Sequence, residues 1–250
     1  VKRILDSKTF DNGTICASEQ SVIMEARMEP AVKTALRAQG AYLLDEEETR
    51  QLSRFILRAN GTMNPAIVGK SVETVAKLAG LTRVPASARV LVARETGVGK
   101  GHPYSSEKLG LILACYVEPD EEAVLRRCVE ILEWEGAGHT FAIHTEDEAV
   151  AKKFAAAVPA SRVLVNTPAS LGGIGATTCL FPALTLGCGA VGGSSSSNNI
   201  GPLDLINIKR VAWGVKELEQ LRGQAGSASP YTVDDSLLDR LVEQIMGRLK

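Results

Sequence analysis

Aromatic side chains are scarce in this chain, at 4% of its 250 residues. A surface that reads single-stranded nucleic acid stacks bases on Phe, Tyr or Trp, and there is little here to build one from. A surplus of either charge is also missing. Lys and Arg number 28 against 29 Asp and Glu, a net charge of −1, so bulk electrostatics attract neither a nucleic-acid backbone nor an anionic membrane surface. No uninterrupted apolar run approaches the roughly 20 residues needed to cross a bilayer. Residues 1–6 lack the apolar stretch and cleavage site of a secretory signal. The five cysteines (Cys16, Cys115, Cys128, Cys179, Cys188) are odd in number and contain no C-x-x-C pair. They suggest neither a disulfide framework nor a zinc site, and they suit a reducing cytoplasm. No nucleic-acid, membrane or metal partner is therefore expected.

A dinucleotide fingerprint is absent as well, since no strand–GxGxxG–helix unit occurs. Gly97-Val98-Gly99-Lys100-Gly101 fails as a phosphate loop: Arg94 stands where its first glycine belongs, and Gly101 where Ser or Thr should follow the lysine.

What is present is an ordinary globular composition, 45% apolar and 23% charged, long enough for one large domain or two small ones. Strand and helix patterns alternate. Residues 21–26 read as a strand, 30–39 as a helix ended by Gly40, 41–44 as a short extended piece, and 45–60 as a helix stopped by Gly61. Ser71 opens a third helix. Residues 89–93 and 111–117 are near-continuous apolar runs, the pattern of strands covered on both faces. A helix over 120–133, a strand over 140–144, a helix over 146–156 and a strand over 162–165 follow. The alternation predicts an α/β domain, a mostly parallel sheet flanked by helices in three layers. Residues 171–193 are rich in Gly, Ala, Thr and Leu with little periodicity, and 205–213 return to a strand-like pattern. Domain boundaries are drawn at 1–221, with a Gly/Ser/Ala-rich linker over 222–230. An amphipathic helix over 231–250 carries Leu237, Leu238, Leu241, Val242, Ile245, Met246 and Leu249 on one face.

Four stretches carry candidate chemistry. The first, Ser7-Lys8-Thr9-Phe10-Asp11-Asn12-Gly13-Thr14-Ile15-Cys16-Ala17-Ser18-Glu19-Gln20-Ser21, sets a cysteine at a turn between two ordered elements. Nearby backbone N–H groups can stabilise a thiolate or an oxyanion there, although a cysteine among apolar neighbours also serves as a small buried hydrophobe. The second, Gly101-His102-Pro103-Tyr104-Ser105-Ser106-Glu107-Lys108-Leu109-Gly110-Leu111, is a loop feeding a buried strand, where residues tend to face the ligand crevice. Glu107 is either a site residue there or a solvated carboxylate paired with Lys108. The third, Glu135-Gly136-Ala137-Gly138-His139-Thr140, joins a helix end to a strand. It places one of only three histidines, His139, as a candidate to lower a thiol pKa or relay a proton, or as a ring satisfied by the backbone. The fourth is Pro182–Gly189 with Gly192–Pro202, whose dense glycines permit close approach either to a ligand or to other backbone.

The first stretch resembles the catalytic-cysteine segment of CoA-acylating aldehyde dehydrogenases. The likeness is to the aldehyde dehydrogenase part of bifunctional aldehyde-alcohol dehydrogenases and to microcompartment-associated acetaldehyde and propionaldehyde dehydrogenases. The second is similar to that family's H/P-x-x-x-E-K-L-S-P segment, the third to G-x-G-H-T-[AS], and the fourth to P-S-L-T-L-G-C-G-S-x-G-G-x-S-x-S-x-N-[VI]-G-P. The likeness spans about residues 8–215. It implies a catalytic domain of the aldehyde dehydrogenase type, with Cys16 as nucleophile, Glu107 on the nicotinamide ribose, and His139 near the chemistry. It also implies NAD as cofactor, CoA and a short-chain aldehyde as substrates, and a homo-oligomer in full-length members. Family members carry a nucleotide-binding domain ahead of the cysteine. This chain, starting 15 residues before Cys16, is expected to be that catalytic domain without its partner domain and inactive alone. The terminal helix resembles an encapsulation peptide, which adds a microcompartment shell protein as a partner and a microcompartment lumen as a location. An NAD-independent thiol acyltransferase is the alternative enzyme class, and an assembly module the alternative outside enzymes.

Overall fold

The computed structural model describes residues 1–220; the expected linker and amphipathic terminal helix lie outside the described residues. Among the described residues, Val1–Ile206 form one compact unit.

This unit is built on a four-stranded sheet in the order β1-β4-β3-β2, formed by β1 (Ser21–Glu25), β2 (Ala41–Leu43), β3 (Val90–Arg94) and β4 (Ile112–Glu118). Every pairing in it is parallel, with Ser21 opposite Ala114, Leu91 opposite Ile112 and Tyr42 opposite Leu91. The apolar runs of β3 and β4 are explained by burial on both faces. Ile112, Ala114 and Tyr116 alternate with Leu113 and Cys115, and Leu91 and Ala93 with Val90 and Val92. The first set packs into a core with Leu52, Ile56, Val75 and Ile131. The second packs with Leu5, Met24 and Leu36. Helices α1 (Lys2–Thr9) and α2 (Glu29–Ala38) therefore cover one face, and α3 (Glu46–Ile56), α4 (Val72–Ala79) and α5 (Glu121–Trp134) the other. These are the three layers expected from the sequence, and truncating a side chain such as Ile112 to Ala there would cost about 2–5 kcal/mol.

Start signals read from sequence are present as caps. Asp45 accepts from the Glu48 amide while the Glu48 side chain accepts from the Asp45 amide, a complete capping box. Ser71 and Asp120 cap α4 and α5.

Three expectations differ from the structure. The helix over 45–60 ends early, at Ile56, because Leu57 turns extended (ψ 148°) and bridges Met63 across a tight reversal. The sheet is not single: β5 (Gly138–Ile143) and β6 (Ala160–Val165) pair in parallel with each other as a separate two-stranded sheet. They are linked by α6 (Glu148–Ala157) and packed through Cys128, Phe154 and Val158. Finally, residues 205–213 form no strand; Leu205 and Trp213 are 80% and 79% exposed, so their alternating pattern meets no partner strand among the described residues.

Candidate active site

Cys16, Glu107 and His139 all line one cleft of about 980 Å³. Each sits just before, or at the start of, a different parallel strand: Cys16 before β1, Glu107 before β4 and His139 at the start of β5. The site thus lies at the amino ends of the strands. The general rule for open α/β sheets points to the carboxyl ends, so the crevice reasoning applied to the Glu107 loop is corrected here.

The thiol loop is shaped by its Asp-Asn-Gly. Asp11 and Asn12 adopt left-handed backbone (φ 47° and 50°), which these residue types tolerate best after glycine. Thr14 Oγ1 donates to Asp11 Oδ2 at 2.6 Å, and Asn12 Nδ2 to the Gly69 carbonyl at 3.2 Å. Gly13 approaches Gly110 so closely that an added Cβ would fall 2.6 Å from its carbonyl oxygen. The loop then returns through exposed Cys16 to buried Ala17 and Ser18.

Gln20 and Glu135 place the second loop against the first. Gln20 Oε1 accepts from the Lys108 amide at 3.0 Å, and Glu135 Oε2 from the Glu107 amide at 2.6 Å. The Lys108 side chain is wholly buried and donates to the carbonyls of Tyr104 and Ser106, both at 2.7 Å. Lys108 is thereby turned inward while Glu107 stays at the surface of the cleft, not paired with it in an ion pair.

The electrostatics set each group's protonation. The Cys16 thiol is pushed up, first by burial and then by the charge of Glu107, while the amides of Ala17 and Cys16 itself pull the other way. Burial and the neighbouring Glu135 raise Glu107, and Lys108 and Lys8 oppose them. His139 is lowered by burial and then by Arg162, both of which disfavour the charged ring.

Several contributors were missed from sequence. Arg162 on β6, 4% exposed, donates to Thr140 Oγ1 at 3.3 Å, to the Ser197 carbonyl at 3.0 Å and to the Gly187 carbonyl. The signal was available as a lone cation inside the apolar run Ser161-Arg162-Val163-Leu164-Val165. Lys8, also wholly buried, has an Nζ without a partner among the described residues. Burial pushes it down to about 8 against the charges of Glu19 and Glu107. Glu19 is fixed through its Oε1 by the Ala169 amide at 3.0 Å.

The glycine-rich stretch packs against backbone. A Cβ on Gly187 would sit 2.2 Å from the Ser196 carbonyl oxygen, and Asn199 Nδ2 donates to the carbonyls of Gly173 and Phe181, both at 2.8 Å. Cys188 is half-buried within it. Among the described residues there is no cluster of His, Cys, Asp or Glu able to hold a metal, and no helix long and apolar enough to cross a membrane.

No family model matches the chain. Individual proteins do. The bifunctional aldehyde-alcohol dehydrogenase of Escherichia coli K12 is 42% identical over 217 residues, 85% of this chain and 24% of that protein. A solved probable aldehyde dehydrogenase from Listeria monocytogenes EGD-e superposes with a TM-score of 0.85 at 62% identity, over 88% of this chain and 49% of that one. An acetylating aldehyde dehydrogenase from Geobacillus thermoglucosidasius superposes with a TM-score of 0.82 at 46% identity, over 86% and 47%. The chain thus spans between a quarter and a half of the length of these relatives. In sequence and in fold, the chain is thus similar to part of the acylating aldehyde dehydrogenases.

Proposed function

We propose that this chain supplies the thiol half of the active site of a CoA-acylating aldehyde dehydrogenase, with Cys16 as nucleophile and a short-chain aldehyde as substrate. The observation that carries the reading is the exposed Cys16 Sγ sharing one cleft with Glu107 and His139, supported by backbone amides at the thiol. The thiolate attacks the aldehyde carbonyl carbon; a C–S bond forms and the carbonyl oxygen takes the electron pair, which backbone amides near Cys16 would stabilise. A nicotinamide dinucleotide, when bound, supplies the hydride acceptor. An exposed cleft carboxylate such as Glu107 fits the hydroxyls of its ribose, and it is the residue of this chain that would hold it. The sequence has no GxGxxG fingerprint for the pyrophosphate. The acyl group on Cys16 then passes to the CoA thiol, which attacks the thioester carbonyl as Cys16 leaves. The exchange of one thioester for another is close to isoenergetic, so the transfer runs in either direction.

Thiol mapping tests the assignment. With limiting iodoacetamide, label should appear first on Cys16 and not on buried Cys115 or Cys128; preferential labelling of Cys188 would sink it. The reading of residues 231–250 as a shell-docking helix rests on sequence outside the described residues.

A further inference from the structure

We propose that Arg162 and Thr140 are positioning residues that hold His139 as its Nε2–H tautomer, so that the ring donates a hydrogen bond into the Cys16 cleft and takes no proton from it. Donors and acceptors around Thr140 Oγ1 decide the tautomer. Arg162 is a donor only, and its Nε donates to Thr140 Oγ1 at 3.3 Å. The guanidinium cannot turn away, because its other two nitrogens are held by the Ser197 and Gly187 carbonyls. Thr140 Oγ1 has one further partner among the described residues, His139 Nδ1 at 2.9 Å. A hydroxyl has one proton to give. If Nδ1 carried the ring proton, Thr140 would accept from both neighbours, and its own proton would have no acceptor among the described residues. If Nδ1 is bare, Thr140 accepts from Arg162 and donates to Nδ1, and every group in the chain is satisfied. The cation of Arg162 behind the hydroxyl favours the same orientation, since it opposes a second positive charge on the ring.

Nε2 is then the protonated nitrogen, and it has no partner among the described residues in a ring that lines the cleft. Such a donor complements backbone amides near Cys16 at a carbonyl oxygen. That use rests on the proposed function, whereas the tautomer itself does not.

The chain has only three histidines, so the tautomer is read directly by two-dimensional proton–nitrogen spectra of the whole protein labelled with 15N-histidine. His139 is assigned by its loss in H139Q. At pH 7.5 the expected result is a protonated Nε2 and a bare Nδ1. T140V, which removes the hydroxyl, should bring up the Nδ1–H form, and T140S should restore Nε2–H. A wild-type Nδ1–H ring, a doubly protonated ring, or a T140V spectrum unchanged from wild type would each overturn the proposal. A second arm measures acylation of Cys16 by a propionyl thioester. H139Q keeps an N–H donor without a base and should lose no more than about tenfold, whereas H139A should lose about 10²-fold or more. Equal losses would overturn the donor role. Absence of Cys16 acylation even in the wild type would refute the proposed function and leave the tautomer result standing.

Discussion

Substituting Gly138 by Ala tests how tightly the start of β5 is locked to the glycine-rich loop. Gly138 has φ +77°, and a Cβ there would lie 1.9 Å from the Cys188 carbonyl oxygen and 2.7 Å from the Gly192 amide nitrogen. Both contacts are backbone, so no side chain can swing aside. The left-handed conformation alone costs an L-residue about 1–2 kcal/mol, and forcing atoms into a filled space adds about 1–3 kcal/mol. The expected total for G138A is about 2–5 kcal/mol. Gly61 is the matched control: its φ is +82° with nothing within 4 Å of the added Cβ, so G61A should cost only the first part, about 1–2 kcal/mol. The assay is urea unfolding followed by far-UV circular dichroism. With a slope of about 2 kcal/mol/M, the midpoint should fall by about 1–2.5 M for G138A and by about 0.5–1 M for G61A. Equal shifts for the two variants would refute the close approach between Gly138 and the Cys188–Gly192 loop, and with it the packing role given to those glycines.

Two titration predictions follow from the cleft and the buried lysines. Because the Glu107 charge raises the Cys16 thiol, E107Q should speed iodoacetamide alkylation of Cys16 at pH 8 and leave it unchanged well above the thiol's pKa; slower alkylation at pH 8 would contradict the coupling. Lys8 holds its proton to the ordinary 10.5 in the unfolded chain but releases it near 8 in the fold. The unfolded chain therefore binds more protons between those values, and wild-type stability gains with rising pH there, by up to about 1.4 kcal/mol per pH unit. K8M should lose that gain, its stability between pH 8 and 9 rising less steeply than wild type; parallel curves would show that Lys8 is not buried as a shifted cation.

Much of this architecture was legible in the sequence, for identifiable reasons. Val90–Arg94 and Ile112–Glu118 announced themselves because strands covered on both faces need apolar residues at every position. Asp45, Ser71 and Asp120 announced helix starts because their side chains satisfy amides that the helix cannot. Residues 205–213 misled because alternation records only the capacity to pair, and a strand also needs a partner. The split into two sheets left no local mark, since β5 and β6 carry the same pattern whichever neighbour they join. Cys16, Glu107 and His139 were proposed through motifs, and the cleft they share was not visible until the loops were placed. Lys8 escaped because a buried cation looks, in sequence, like any surface lysine, whereas Arg162 left one mark, a lone cation inside an apolar run; in the fold they differ by the carbonyls around Arg162 and the Lys8 nitrogen without a partner among the described residues.

The central claim is that Cys16 carries the acyl group, and the most direct measurement is peptide mapping by mass spectrometry after incubation with propionyl-CoA. A propionyl adduct on Cys16, lost in C16S and retained in C188S, is the predicted result. An adduct on Cys188 or Cys179, or C16S acylated as readily as wild type, would contradict it.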